Sequence, residues 1–249
     1  MNDVYAIVAS ALSQNATVLR SVSQNVSNLS TPGYKREVAY QPAFGAFVSQ
    51  GAVTAEANRQ LPGGVAVNAA SLPRVFDASV GTLRKTGRPL DVAIAGEGYF
   101  EVMLRDGPAY TRQGNFRLDP QGRLVTDRGE PVMGQSGEIL LTSESVSIAR
   151  DGEVRDADRV VGHLKLIALE DASNAVHVAP GVIRSAVPGE ALDSSTVRLQ
   201  QGYLENANVS LASEMVQMMQ TMRHFESMQR VAQQFDELMG NSIRKLGEA

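Results

Sequence analysis

Apolar residues near the C-terminal end of the chain follow a seven-residue repeat. They recur at every seventh position or fill the places three or four residues away: Leu211, Met215, Met218, Met222, Phe225, Ala232, Met239, Ile243 and Leu246. This pattern predicts a long amphipathic helix whose apolar seam needs a partner helix. We expect the helix to begin after Asn208 or Ser210, either of which can cap it, and to end near Leu246.

The N-terminal segment predicts a second amphipathic helix, from about Asp3 to about Ser30, stopped by Pro32 and Gly33. Its apolar stripe has the spacing of a helix face and consists of Val4, Val8, Ala11, Val18, Val22 and Leu29. Three asparagines lie in or beside the stripe: Asn15, Asn25 and Asn28. Buried seam asparagines fix the register of coiled coils, so we expect that role here. In the alternative reading the three asparagines face solvent.

The middle of the chain, from about Val75 to about Val197, has the pattern of short β-strands between turns. Residues 91–95 and 99–104 flank Gly96-Glu97-Gly98 and predict one hairpin. Residues 115–118 and 123–126 flank Asp119-Pro120-Gln121-Gly122 and predict another.

The predicted fold class is therefore α+β, with a discontinuous N- and C-terminal helical coiled-coil domain and a central antiparallel all-β domain. We place the helical domain at residues 1–33 and 205–249 and the β domain at residues 75–204. Residues 34–74, which lack a helical period, are expected to form an extended linker.

The amino-acid composition argues against several classes of function. The 249 residues include no cysteine, and the net charge of −4 is spread along the chain without a basic block for nucleic acid. No stretch is apolar enough to span a membrane, and we expect no cleaved signal peptide at the N-terminus. The three histidines lie far apart, and no nucleophile, metal or cofactor motif stands out. The sequence therefore predicts neither an enzyme nor a small-molecule site, and no cofactor.

The two terminal stripes have two interpretations. Both helices could pack on the β domain as a layer of its core. A seam of this length exceeds what one sheet face needs, however, and six of the nine methionines lie in the C-terminal helix. Flexible thioether side chains suit contacts with neighbours that are not identical, so the pattern favours an interface between chains.

Short motifs at both ends resemble those of one family, the axial proteins of the bacterial flagellum, which form its rod and hook. The N-terminal motif spans residues 25–36, with serine and valine around the asparagines where the family is usually rich in alanine. The C-terminal motif spans residues 202–209 and continues in Glu214-Met215 and residues 223–226. Residues 88–100 and 110–116 resemble the family's β domain. The motif residues are Thr31, Pro32, Gly33, Tyr34, Gly202, Tyr203, Leu204, Glu205, Asn208 and Val209.

The resemblance implies a structural subunit whose terminal helices pack, copy by copy, into a tube around the export channel. Its β domains would form the outer wall, and the assembly would transmit torque. The implied partners are copies of itself, other proximal and distal rod proteins, and the flagellar type III export apparatus. The implied location is the basal-body rod, which spans the periplasm.

The chain length and the motif Thr86-Gly87-Arg88-Pro89-Leu90 favour the proximal-rod member of the family. Two alternatives stay open. One is a distal-rod or hook-type axial subunit, and the other is a self-contained secreted module that binds carbohydrate and dimerises through its helices.

Overall fold

The structure, a computed structural model, describes residues 2–39, 74–142, 146–157, 159–169, 175–185, 187–193, 196 and 198–247. Side chains are described for these residues except 2–7, 239 and 241–247. Most of the predicted linker, residues 40–73, thus lies outside the described residues, as do the side chains of Val4, Met239, Ile243 and Leu246.

Two long helices lie at the two ends of the chain, as the apolar periodicity predicted. Helix α1 spans Asn2–Ser27 and helix α2 spans Leu211–Gly247. Ser210 directly precedes α2, whereas the Asn208 side chain bonds to other parts of the chain and so is not the cap. Among the described residues, no helix combines the length and the apolar character that a membrane crossing requires.

The strands between the helices are short. Their bounds are β1 (Glu37–Ala39), β2 (Arg74–Phe76), β3 (Leu83–Lys85), β4 (Val92–Ile94), β5 (Tyr99–Leu104), β6 (Gly107–Thr111), β7 (Arg117–Leu118), β8 (Leu124–Val125), β9 (Met133–Gly134), β10 (Gly137–Glu138), β11 (Val146–Ile148), β12 (Glu153–Asp156), β13 (Arg159–His163), β14 (Leu166–Ala168), β15 (Val176–Ala179), β16 (Val182–Arg184), β17 (Glu190–Ala191), β18 (Leu199–Gln201) and β19 (Tyr203–Glu205). The pairs β3–β19, β4–β18, β7–β8 and β9–β10 are antiparallel, as are the neighbours in the three-stranded sheet β11-β12-β13. The central antiparallel β region is thus confirmed.

The largest sheet has six strands in the order β15-β16-β6-β5-β14-β17. Successive side chains of a strand point to opposite faces, and both faces of this sheet are covered. Phe100 and Leu166 belong to a large core cluster on one face, while Tyr99 and Ile167, their neighbours in sequence, belong to a smaller cluster on the other. Double-sided burial explains why β5 begins with a run of four buried residues.

One predicted hairpin forms and the other does not. Strands β7 and β8 pair across the Asp119–Gly122 turn, where Gly122 N donates to Asp119 O at 2.9 Å. The hairpin expected across Gly96-Glu97-Gly98 is wrong, because β4 pairs with β18, more than a hundred residues later, and β5 pairs with β6. Gly96 and Gly98 both have positive φ, so this turn redirects the chain from one sheet to another.

The chain divides into two compact units. In the first, helical residues lie within Met1–Ser23 and Ala212–Ala249. The second contains Gln24–Glu37 together with Arg74–Leu211. The last turn of α1 and the N-terminal motif therefore belong to the same unit as β2 to β19.

Candidate assembly site at the junction of the terminal motifs

The side chain of Asn25 links the end of α1 to the rest of the N-terminal motif through hydrogen bonds. This residue is 1% exposed in the last turns of α1. Its amide nitrogen donates to Glu37 O at 2.8 Å, and its amide oxygen accepts from Glu37 N at 2.9 Å and from the Tyr34 hydroxyl at 3.1 Å. One buried amide thus satisfies both backbone groups of Glu37 and fixes the loop that leads from the helix into β1.

Gly33 brings the N-terminal motif against the C-terminal motif. Its N–H donates to Glu205 O at 2.8 Å, and its φ is 65°. A Cβ at this position would lie 2.3 Å from the backbone carbon and oxygen of Arg112. The close approach therefore requires glycine, for its conformation and for its lack of a side chain.

Asn208 connects the same two motifs on the other side of the loop. Its side-chain oxygen accepts from Arg36 N at 2.6 Å, and its backbone N–H donates to Tyr34 O at 3.3 Å. Its amide nitrogen donates to Asp77 O at 2.9 Å and to Ser79 O at 3.1 Å. The segment just before α2 is thereby tied to the segment just after α1 and to the start of the β region.

A buried carboxylate carries the main electrostatic contacts of the junction. Glu205 Oε1 accepts from Lys35 Nζ and from Gly81 N, both at 2.8 Å, and Oε2 accepts from Arg112 Nη1 at 3.1 Å. The side chains of Lys35, Arg112 and Glu205 are all at most 4% exposed. Burial lowers the pKa of Lys35, opposed by the Glu205 carboxylate.

The two cations are held by further contacts. Lys35 Nζ also donates to Ser79 O at 2.6 Å, and Arg112 Nη2 donates to Gly96 O at 2.7 Å. The Arg112 guanidinium lies 5.3 Å from the centre of the Tyr99 ring. Two cations around one carboxylate are therefore stabilised by carbonyl oxygens and an aromatic face as well as by charge.

His177 packs against the Tyr34 ring. The rings are stacked with centres 5.4 Å apart, and Phe76 meets the imidazole edge-on at 4.3 Å. Both ring nitrogens are buried. Burial lowers the pKa of His177, opposed by the Glu37 carboxylate and by the carbonyls of Ala179, Val182 and Lys35.

In the helical unit, Asn15 bonds to the other helix. Its amide lies 2.9 Å (Nδ2) and 3.2 Å (Oδ1) from His224 Nδ1. Asn15 is 3% exposed, so this buried polar group finds its partner on α2. Asn28, by contrast, bonds locally, donating to Gln24 O at 2.9 Å and accepting from Thr31 Oγ1 at 3.2 Å.

The predicted interface residues divide by exposure. Along α1 and in the turn that follows it they are buried or half-buried: Val8, Ala11, Asn15, Val18, Val22, Asn25, Asn28 and Leu29. On α2 one group is half-buried: Met218, Phe225 and Ala232. The other group is exposed: Leu211, Met215 and Met222. Their role in assembly stays a prediction.

The family motif residues lie at or beside the junction. Gly33, Tyr34, Leu204 and Glu205 are buried, and the others are half-buried: Thr31, Pro32, Gly202, Tyr203, Asn208 and Val209. Lys35, Arg112 and His177 were not predicted as site residues. Lys35 lies within the N-terminal motif and Arg112 within residues 110–116, so the resemblance was the available signal for these two, whereas His177 lies in none of the motifs. Among the described residues, no group of three or more His, Asp or Glu side chains could hold a metal ion.

Two domain families match the chain. Residues 93–155 match the family described as the flagellar hook protein FlgE/F/G D1 domain. Residues 200–245 match the C-terminal domain of the flagellar basal body rod FlgEFG proteins. The first region contains β5 to β11 with parts of β4 and β12, and the second contains part of β18, β19 and most of α2.

Several known proteins are similar to this chain over most of its length. The chain is 34% identical to the flagellar basal-body rod protein FlgG of Buchnera aphidicola subsp. Schizaphis graminum, over 82% of this chain and 85% of that protein. It is 31% identical to FlgF of Escherichia coli K12, over 95% of both chains, and 28% identical to FlgF of Caulobacter vibrioides, over 95% and 96%. The chain belongs to the flagellar basal-body rod protein family, which confirms the resemblance of the motifs. The members of this family are structural proteins and not enzymes.

Replacing Gly33 by alanine should destabilise the junction far more than the conformation of the residue alone explains. Gly87 is the matched control, because its φ is 72° but no atom lies within 4 Å of a Cβ built there. Gly87→Ala should cost about 1–2 kcal/mol from the left-handed backbone, and Gly33→Ala more than about 3 kcal/mol because the Arg112 backbone must also move. Urea denaturation of both variants measures the difference, and equal losses would contradict the close approach.

Acidification should destabilise the protein partly through His177. Its folded-state pKa lies below the value of about 6.5 expected in the unfolded chain. The unfolded state therefore binds more protons below about pH 6.5, and the free energy of unfolding should fall as the pH is lowered through that range. Denaturation at pH 7.5 and pH 5 should show a smaller loss for His177→Phe than for the unchanged chain. Identical losses would mean that His177 does not contribute.

Proposed function

We propose that the chain is a structural subunit of the bacterial flagellar basal-body rod. Proteins named as flagellar basal-body rod proteins match this chain over most of their length, which supports the assignment to the rod. Its copies would pack their terminal helices into a tube around the export channel and transmit torque. Its partners would be further copies, other rod proteins and the flagellar type III export apparatus.

The observation that carries the packing role is an apolar surface on α2, which we name the methionine stripe: Leu211, Met215, Met219 and Met222. These side chains are 38%, 51%, 54% and 48% exposed. They are spaced three or four residues apart and therefore form one strip along the helix. An apolar strip of this kind needs a neighbour to exclude water, and a coiled-coil packing with other chains would provide one.

A different face of α2 is already covered within the chain. Glu214 and Thr221 are buried, and Met218 and Phe225 are half-buried, with the 3-4 spacing of a helix face. The Thr221 hydroxyl donates to Gln217 O at 2.8 Å, and Asn15 reaches His224 from α1. The helix therefore has separate faces for contact within the chain and for contact between chains.

We further propose that this subunit occupies the proximal part of the rod, the position that the resemblance implies for FlgF, with FlgG as the distal counterpart. Matches to FlgF extend over 95–99% of this chain, whereas those to FlgG extend over 82–90%. The higher identity to one FlgG relative supports the distal position as the second candidate.

A gold-labelled copy of the chain in isolated basal bodies should distinguish the two positions. We expect the label at the motor-proximal end of the rod in electron micrographs, because the match to FlgF covers the chain more completely. Label at the hook-proximal end would favour the distal candidate. Label absent from the rod would overturn both.

A charge in the methionine stripe should abolish rod assembly without unfolding the chain. Met222→Lys puts an ammonium group where neighbouring chains should exclude water, which strongly disfavours packing. Gln220→Lys, on an exposed position away from the stripe, is the control. Each variant would replace the native copy in a motile cell, with swimming and rod completion as the measurements.

Circular dichroism of the purified variants completes this test. Both should keep the helical and β content of the unchanged protein, because Met222 is 48% exposed and a lysine side chain there can reach solvent in the free subunit. Normal swimming of the Met222→Lys variant would remove the packing role. Loss of its fold would favour the alternative in which the stripe packs on its own chain.

A further inference from the structure

The methionines of α2 differ in their access to solvent. Met215, Met219 and Met222 are 51%, 54% and 48% exposed. Met218 and Met228, on the same helix, are half-buried and therefore less exposed than these three. Met218 lies on the covered face. At 3.6 residues per turn the three exposed methionines fall within about 60° of the helix circumference. Three accessible thioethers thus lie next to one another on a helix surface.

We propose that Met215, Met219 and Met222 form an oxidation site for peroxides in the free subunit, and that their oxidation prevents packing of the stripe. The sulfur lone pair of a thioether attacks a peroxide oxygen, so that an S–O bond forms and the O–O bond breaks. The sulfur loses two electrons and the peroxide gains them. The proton of the transferred oxygen passes to the departing hydroxide, which leaves as water.

The chemistry of the stripe selects these residues. Thioether oxidation needs contact with the oxidant in solution, so exposed sulfurs react before covered ones. The chain has no cysteine that could compete for the oxidant. Leu211, the remaining member of the stripe, is aliphatic, so the three sulfurs are its reactive groups.

Oxidation would prevent packing because it makes the methionine side chains polar. A sulfoxide is polar and accepts hydrogen bonds, and burying it without a donor is unfavourable. Three sulfoxides on one strip would turn the surface from apolar to polar. This consequence rests on the proposed function, since it requires the stripe to be covered by other copies. Oxidation at the three sites does not depend on that assignment.

Dilute hydrogen peroxide added to the purified full-length chain tests the site. Peptide fragmentation by mass spectrometry would follow the added oxygen at each methionine over time. We expect Met215, Met219 and Met222 to react at least roughly threefold faster than Met218 and Met228, because their sulfurs are more accessible. Equal rates at all five positions would overturn the site.

A triple variant tests the consequence in motile cells that lack the native copy. M215Q/M219Q/M222Q replaces the thioethers by polar groups of similar length, as oxidation does. The control, Gln220→Lys, changes an exposed position away from the stripe. The control should swim and the glutamine variant should not, with unchanged circular dichroism for both. Normal swimming of the glutamine variant would overturn the consequence.

The results separate this proposal from the proposed function. If Met222→Lys cells swim normally, the packing role of the stripe fails whatever the oxidation rates are. If Met222→Lys cells do not swim but the five methionines oxidise equally, the packing role stands and the oxidation site fails.

Discussion

The ion group of Glu205 with Lys35 and Arg112 joins three distant parts of the sequence. Glu205 is 170 residues from Lys35 and 93 from Arg112, and all three side chains are almost fully buried. Removing one partner of such a buried group leaves an uncompensated charge and typically costs about 3–5 kcal/mol. The arrangement is therefore stable only when the start of the chain, the β region and the segment before α2 are in place together.

Two asparagines strengthen the same junction. Asn25 closes the loop at the end of α1, and Asn208 fixes the segment that leads into α2. Both asparagines bond mainly to backbone atoms of other segments, with one side-chain hydroxyl each, from Tyr34 and Ser79. In a rod subunit, such a junction would hold the N- and C-terminal motifs together within the β unit.

The helices illustrate what periodicity can and cannot predict. The 3-4 spacing correctly indicated both helices and the buried residues Val8, Val18 and Val22. On α2, however, the apolar pattern did not distinguish the covered face from the exposed one. Glu214 and Thr221 are buried there although they are polar, because a neighbouring element covers them. A hydrophobicity pattern cannot show this, since it gives each residue the same weight in every environment.

Features that depend on near neighbours could be predicted from the amino-acid order: the two helices, the Asp119–Gly122 turn and the motifs that identify the family. Strand pairing could not, since β4 pairs with β18 and not with β5, and neither could the set of charged residues that share a buried site. The exposure of individual methionines likewise became known only from the folded chain. Local patterns record backbone preferences within a few residues, whereas pairing and burial depend on contacts between segments far apart in the chain.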